Sequence, residues 1–209
     1  MDEIEAVTCI RFKNRKNEKD FVHIYSGKFC KSNLGRTGGM QELSLNTFKC
    51  FQKGIIIHEL MHALGYIHMQ SRPDRDKYVK IVWQNIRPEF SREFDKVNPG
   101  VFNHYGTGYD YHSIMHYASR AASKNGGRTI VTKDETFLDV IGQRDGMSEG
   151  DIQRINTKYK CKVYKPAVSI FASYQPLVAA KKPTSDFFKP INPFRIPTIG
   201  DDDDDLFNI

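Results

Sequence analysis

Residues 58–68 read HELMHALGYIH, and the rest of the chain is read outward from them. On a helix, positions i and i+4 share one face, so His58 and His62 turn their imidazoles toward one point with Glu59 beside the first. Gly65 lets the chain leave that helix through a left-handed conformation that a residue with a Cβ adopts reluctantly. His68, beyond the bend, returns as a third nitrogen ligand. Three neutral nitrogens leave a zinc ion an open position for water, whose pKa falls to about 7, so one Zn2+ per chain is the expected cofactor. A structural zinc site is normally closed by four ligands, frequently thiolates, and no pair of the four cysteines has that spacing. Glu59 is placed to take the proton of such a water, which points to attack on a carbonyl. HExxH alone arises by chance on amphipathic helices, but a chance helix has no reason to add a glycine and a third histidine at these offsets.

The next informative stretch is SIMHY at 113–117. The extended histidine string followed by such a methionine turn is the metzincin signature, with Met115 as the turn methionine. Tyr117, two residues on, would by itself be read as a core tyrosine with a satisfied hydroxyl. After a Met-turn it is expected as a weak fifth ligand that moves to hydrogen-bond the developing oxyanion. His116 and His104 read as ordinary polar or partly buried histidines, and Trp83 as core.

Around these motifs the pattern is α+β. Residues 21–26 (FVHIYS) alternate in the manner of a strand, and 43–47 and 129–132 read as further short strands. Helices are expected over 54–64, closed by Gly65, and over 148–159, where Ser148 and Asp151 resemble a capping box. The composition shifts after Cys161, because the last 48 residues hold six of the nine prolines and the run Asp201 to Asp205. Residues 1–161 therefore read as one domain and 162–209 as a largely disordered tail. No internal repeat of fixed period is apparent.

Composition removes several functions. The net charge of +6 comes from dispersed bases without a nucleic-acid-binding motif, so no nucleic-acid partner is expected. No apolar run approaches the roughly 20 residues of a membrane helix, so no membrane span is expected either. The opening MDEIEAVTCIRF has no basic region before an apolar one and is not a secretory signal. There is no N-x-S/T sequon, so glycosylation says nothing about secretion.

Taken in order, HELMHALGYIH, QSRPDRD (70–76), VWQNIRP (82–88), YDYHSIMHY (109–117), SKNGGRTIV (123–131) and IGQRDGMSEGDIQRINTKYKC (141–161) resemble an astacin-family zinc endopeptidase over essentially all of 1–161. The resemblance implies a metzincin fold of two subdomains flanking a cleft, with a twisted sheet, an active-site helix and a mostly irregular lower half. It implies His58, His62 and His68 as zinc ligands, Glu59 as general base and acid, Tyr117 as transition-state stabiliser and Met115 packed beneath the metal. Proteins or peptides would be the substrates, with acidic residues favoured beside the cleaved bond in several members, and the chain would be secreted. Four cysteines permit three connectivities, and the family pattern implies Cys9–Cys161 and Cys30–Cys50. Such bridges imply an oxidising compartment.

Two departures stand out. Met69 occupies the position where the family has Glu after the third histidine. The match also opens only a few residues before Cys9, so the family's first strand, most of its first helix, its signal peptide and its prosegment are expected to be missing. That loss predicts an unpaired sheet edge, weaker zinc binding and lower stability. The alternative function is a catalytically impaired zinc-binding interaction protein, or an incomplete fragment.

Overall fold

The computed structural model describes residues 1–162 and 206–208. The chain opens with a short helix, α1 (Asp2–Val7), which buries Ile4, and continues into β1 (Lys13–Asn14), β2 (Phe21–Tyr25), β3 (Lys31–Ser32) and β4 (Met40–Ser44). Helix α2 (Lys53–Ala63) carries the histidine motif, and α3 (Glu149–Lys158) is the last helix among the described residues. A two-stranded antiparallel sheet in the second half joins β5 (Val79–Ile81) to β6 (Ile130–Thr132). Most of the chain between them is turn and short 3-10 helix.

Helices and strands mix in an α+β fold whose main sheet has the order β1, β7, β2, β4, β3, where β7 is Leu206–Asn208. β2 and β4 run parallel from Phe21 opposite Met40 to Tyr25 opposite Ser44, and β3 closes the sheet antiparallel to β4. β7 is antiparallel to both β1 and β2. In place of the unpaired sheet edge expected from the sequence, the side of β2 away from β4 is taken by the C-terminal segment, because an open strand edge offers backbone donors and acceptors to any extended chain. The rest of the expected tail, beyond Lys162, lies outside the described residues.

The strand expected at 43–47 is shifted to Met40–Ser44. Gln41 is buried in it, a polar residue that the apolar pattern passes over, because its amide donates to the Gly35 carbonyl (2.8 Å) and accepts from the Thr37 amide (3.2 Å). Trp83, expected in the core, is 47% exposed and meets Phe94 edge-on at 6.5 Å. Phe94 fills that interior instead, together with Val79, Ile81, Ile86, Ile130 and Ile141. This lower core is separate from the upper one, which joins Ile4, Val22 and Leu43 to Ile57, Leu60 and Met61 of α2, to Met115 and to Ile155 of α3.

α2 is buried on several faces, including Gly54, Ile57, Glu59, Leu60 and Met61, as suits a helix between a sheet and a second layer. Gly54 is required there: a Cβ would lie 1.8 Å from the Arg144 carbonyl oxygen. At the other end α2 closes in a Schellman motif, with Tyr66 N–H donating to Met61 O (3.0 Å) and Gly65 N–H to His62 O (2.8 Å). Gly65 sits at φ +84°, which an L side chain resists. α3 begins as the sequence indicates, with Ser148 as N-cap and Asp151 completing a capping box. Disulfides join Cys9 to Cys161 and Cys30 to Cys50.

Candidate metal centre and active site

The end of α2 and the chain beyond its bend bring three imidazoles together. Nε2 of His68 lies 3.2 Å from Nε2 of His58 and 3.0 Å from Nε2 of His62. Two nitrogens bound tetrahedrally to zinc at about 2.0–2.1 Å stand about 3.3 Å apart, so the spacing fits that ion. The opposite ring nitrogens of the helical pair are engaged, His58 Nδ1 with Ile114 O and His62 Nδ1 with Tyr66 O, both at 2.8 Å. Such bonds fix the tautomer and leave Nε2 as the free lone pair. Tyr66 O is available because the Schellman turn points it back at the helix, so one local motif both ends α2 and aims a ligand. Among the described residues these three histidines form the one cluster with metal-ligand geometry.

Their charges are set to match. Burial pushes the His58 imidazole down to about 3, lowers His62 and carries His68 well below its ordinary value, with neighbouring histidines and Arg144 adding to the effect. Neutral imidazole is the form that binds metal, so protons compete poorly for the site near neutrality.

Glu59 is 5% exposed, and its Oε2 is buried without a hydrogen-bond partner. A lone buried carboxylate oxygen beside three convergent nitrogens would find a partner in a water held by a metal on those nitrogens. Burial raises this carboxyl to about 7, with the Arg144 charge opposing the rise. Tyr117 places its ring 4.4 Å from that of His68, and burial pushes its hydroxyl up to about 12, so it remains a donor. His58, Glu59, His62, His68 and Tyr117 line one cleft of about 700 Å³ together with Lys31 and Ser32 of the terminal strand β3 and with Arg92, Glu93, Asp95, Lys96 and Val97.

Met115 is fully buried, and its carbonyl accepts the Met69 amide (3.0 Å), which holds the residue after His68 against the turn. Met69 is itself fully buried, with its sulfur 3.9 Å from the Arg72 guanidinium. His116 lies away from the ligand nitrogens: its Nε2 meets the Tyr109 hydroxyl at 2.9 Å and its Nδ1 the Tyr117 carbonyl at 2.8 Å. His104 accepts the Gly106 amide at the surface.

The sequence reading missed two supporting residues. Asp151, read only as a helix cap, also accepts from the Ser113 hydroxyl (2.7 Å) and the Ile114 amide (2.8 Å). The Ile114 carbonyl then accepts from His58, so the backbone of one residue links the α3 N-terminus to a metal ligand. Arg144 donates to the His116 carbonyl (3.3 Å) and is half-buried near Glu59. A carboxylate in a capping box is visible in sequence, but its second set of partners, some 37 residues away, is not.

The family profile of Astacin, a peptidase family, matches residues 1–160. The chain belongs to the astacin family. His58, His62 and His68 are thus the zinc-binding triad of this astacin-family chain. Zinc metalloproteinase nas-6 of Caenorhabditis elegans is 46% identical over 164 residues, 78% of this chain and 47% of that protein. High choriolytic enzyme 1 of Oryzias latipes is 50% identical over 155 residues, 74% of this chain and 56% of that protein. The chain thus spans about half the length of these curated relatives. The solved structure of high choriolytic enzyme 1, described as a hatching enzyme zinc-protease, superposes with a TM-score of 0.74 at 48% identity, covering 78% of this chain and 80% of the other. Myroilysin, at 21% identity and a TM-score of 0.52, covers 77% and 83% and shares the fold.

Proposed function

We propose that this chain is a zinc-dependent endopeptidase that hydrolyses peptide bonds in proteins or peptides, with Glu59 as general base and acid and Tyr117 as oxyanion donor. The reading rests above all on one observation: the unpartnered, buried carboxylate oxygen of Glu59 beside three converging imidazole nitrogens in an open cleft. Zinc, when bound, supplies Lewis-acid polarisation of a carbonyl and acidification of water.

The chain's own residues supply the rest. Glu59, with a carboxyl near 7, is tuned to accept a proton from the attacking water and return it to the leaving amine. The Tyr117 hydroxyl, protonated throughout the physiological range, donates to the oxygen that gains charge. Its backbone amide is fixed by Gln70 Oε1 (3.1 Å), which holds the turn it leaves. β3 is the last strand of its sheet and lies along the cleft, so an extended stretch of substrate can add to its outer edge through main-chain hydrogen bonds. Two disulfides support work in an oxidising compartment, in keeping with a secreted protein. The intact Glu59 and Tyr117 weigh against a catalytically impaired binding protein.

Glu59→Gln is the direct test. Turnover of a mixed peptide library should fall by at least about a thousandfold while zinc content stays stoichiometric. Substantial cleavage by that variant would remove Glu59 from the chemistry, and absence of chelator-sensitive cleavage by the folded, zinc-loaded parent would remove the peptidase reading.

A further inference from the structure

At the edge of the cleft, two segments tied by the Cys30–Cys50 disulfide share an unusual composition: Lys28-Phe29-Cys30-Lys31 and Phe48-Lys49-Cys50-Phe51. Their three phenylalanines face water, with Phe48 95%, Phe29 67% and Phe51 66% exposed. Fully burying an aromatic ring removes roughly 150–250 Å² from solvent, so these rings together leave on the order of 400 Å² of apolar surface, at the upper end of what a monomer normally shows. Lys28, Lys31 and Lys49 are exposed and make no ion pair among the described residues. Between Asp20 and Glu59 the only acid is Glu42.

The display is held in place. The Phe29 carbonyl accepts from the Ser44 hydroxyl (2.7 Å), and the Gly27 carbonyl from the Asn46 amide (3.2 Å). Asn46 Oδ1 in turn accepts the Phe48 and Lys49 amides at 3.0 and 3.1 Å. The backbone under the aromatic and basic side chains is thus already ordered, which lowers the entropic cost of binding on it. The patch is also continuous with the cleft, because Cys30, Lys31, Ser32 and Leu34 line the same cleft as Glu59.

Resting on the peptidase reading, we infer that Phe29, Phe48 and Phe51 with Lys28 and Lys49 form a docking surface for a segment of the protein substrate outside the scissile site, a segment carrying acidic and large apolar residues. Charge complementarity selects the acids, and the exposed rings select the apolar side chains. Continuity with the cleft favours the substrate itself as occupant over a lipid surface, since β3 begins at Lys31, directly after the Phe29–Cys30 segment of the patch.

The test compares one short fluorogenic peptide, chosen from library cleavage, with the same peptide carrying an extension of about ten Glu, Asp, Phe and Leu residues, or Gly and Ser residues, on either end. The acidic–apolar extension at one end should raise kcat/KM about tenfold over the Gly–Ser control, and the gain should shrink with added salt. Phe48→Ser/Phe51→Ser and Lys28→Glu/Lys49→Glu should each lose most of that gain while cleaving the short peptide like the parent. Equal kcat/KM for both extensions, or variants that lose the short peptide in the same proportion, overturns the inference. Fluorescence anisotropy of the labelled acidic–apolar extension alone, on Glu59→Gln protein, gives a readout independent of turnover. If the parent cleaves nothing, the peptidase reading fails, and loss of anisotropy binding in the patch variants still decides the surface. Phe-dependent binding to phosphatidylserine vesicles without any extension effect would overturn substrate docking in favour of a membrane surface.

Discussion

Asp151→Asn keeps the size of a buried side chain and removes its charge. In the parent, this fully buried carboxylate accepts from Ser113 Oγ, the Ile114 amide, the Ser148 amide (3.1 Å) and the guanidinium of Arg154, which is 5% exposed. An amide has one accepting oxygen, so its NH2 must face either the two backbone N–H groups or the Ser113–Arg154 side, and donor meets donor in both cases. Arg154 is left without its counter-charge in the interior, a change that costs about 3–5 kcal/mol. For a domain of this size, that lowers Tm by about 6–20 °C.

The second consequence is specific to the site. Ile114 loses the acceptor of its amide while its carbonyl still orients His58, so zinc affinity should fall about tenfold, at the low end for an outer partner of a metal ligand. Differential scanning calorimetry gives the first quantity, and competition with a chromophoric chelator gives the second. Ser148→Ala serves as control, because it removes the helix cap and the bond to Asp110 but leaves the Asp151 carboxylate on Ile114, and should cost about 1–2 kcal/mol with zinc affinity unchanged. A variant within about 1 kcal/mol of the parent would refute the buried-pair account. A destabilised variant with parental zinc affinity would refute the link through Ile114.

Tyr117→Phe should lower kcat by about a hundredfold or more with KM little changed, since the hydroxyl is assigned to charge that appears in the transition state; a rise in KM alone, in steady-state kinetics, would assign it to substrate binding. In chelator-treated protein, His58 has a folded pKa far below its ordinary value, so between about pH 6.5 and 3 the unfolded chain binds more protons and stability is lost on acidification. Glu59 acts in the opposite sense, because its raised folded pKa stabilises the protonated form and that contribution is lost as pH rises from about 4.5 to 7. Three desolvated histidines outweigh one carboxyl, so melting temperatures of the metal-free protein should fall below about pH 6, and a profile that rises on acidification would contradict the assigned burial. Gly54→Ala should destabilise by about 3 kcal/mol or more in denaturant titration, because the Cβ meets the Arg144 backbone oxygen rather than a movable side chain; a change under about 1 kcal/mol would mean that the 140s loop yields freely.

The metal site was legible in sequence because its information is local. A helix places residues four apart on one face whatever surrounds it, and Gly65 marks the bend that returns His68, so residues 58–68 alone encode the triad and the glutamate. The α3 cap was equally local, from Ser148 to Asp151. What the sequence did not contain were meetings between distant segments. Gln41 was invisible as a core residue because its burial depends on the Gly35 loop, and Trp83 was misread because Phe94, eleven positions later, fills the lower core. The unpartnered state of Glu59, the tie from Asp151 through Ile114 to His58, and the union of two Lys–Phe segments around one disulfide arise only when the chain is closed. Covalent geometry and helical periodicity fix which residue types share a face, whereas desolvation and hydrogen-bond satisfaction depend on everything that packs above that face, and only the tertiary structure decides that.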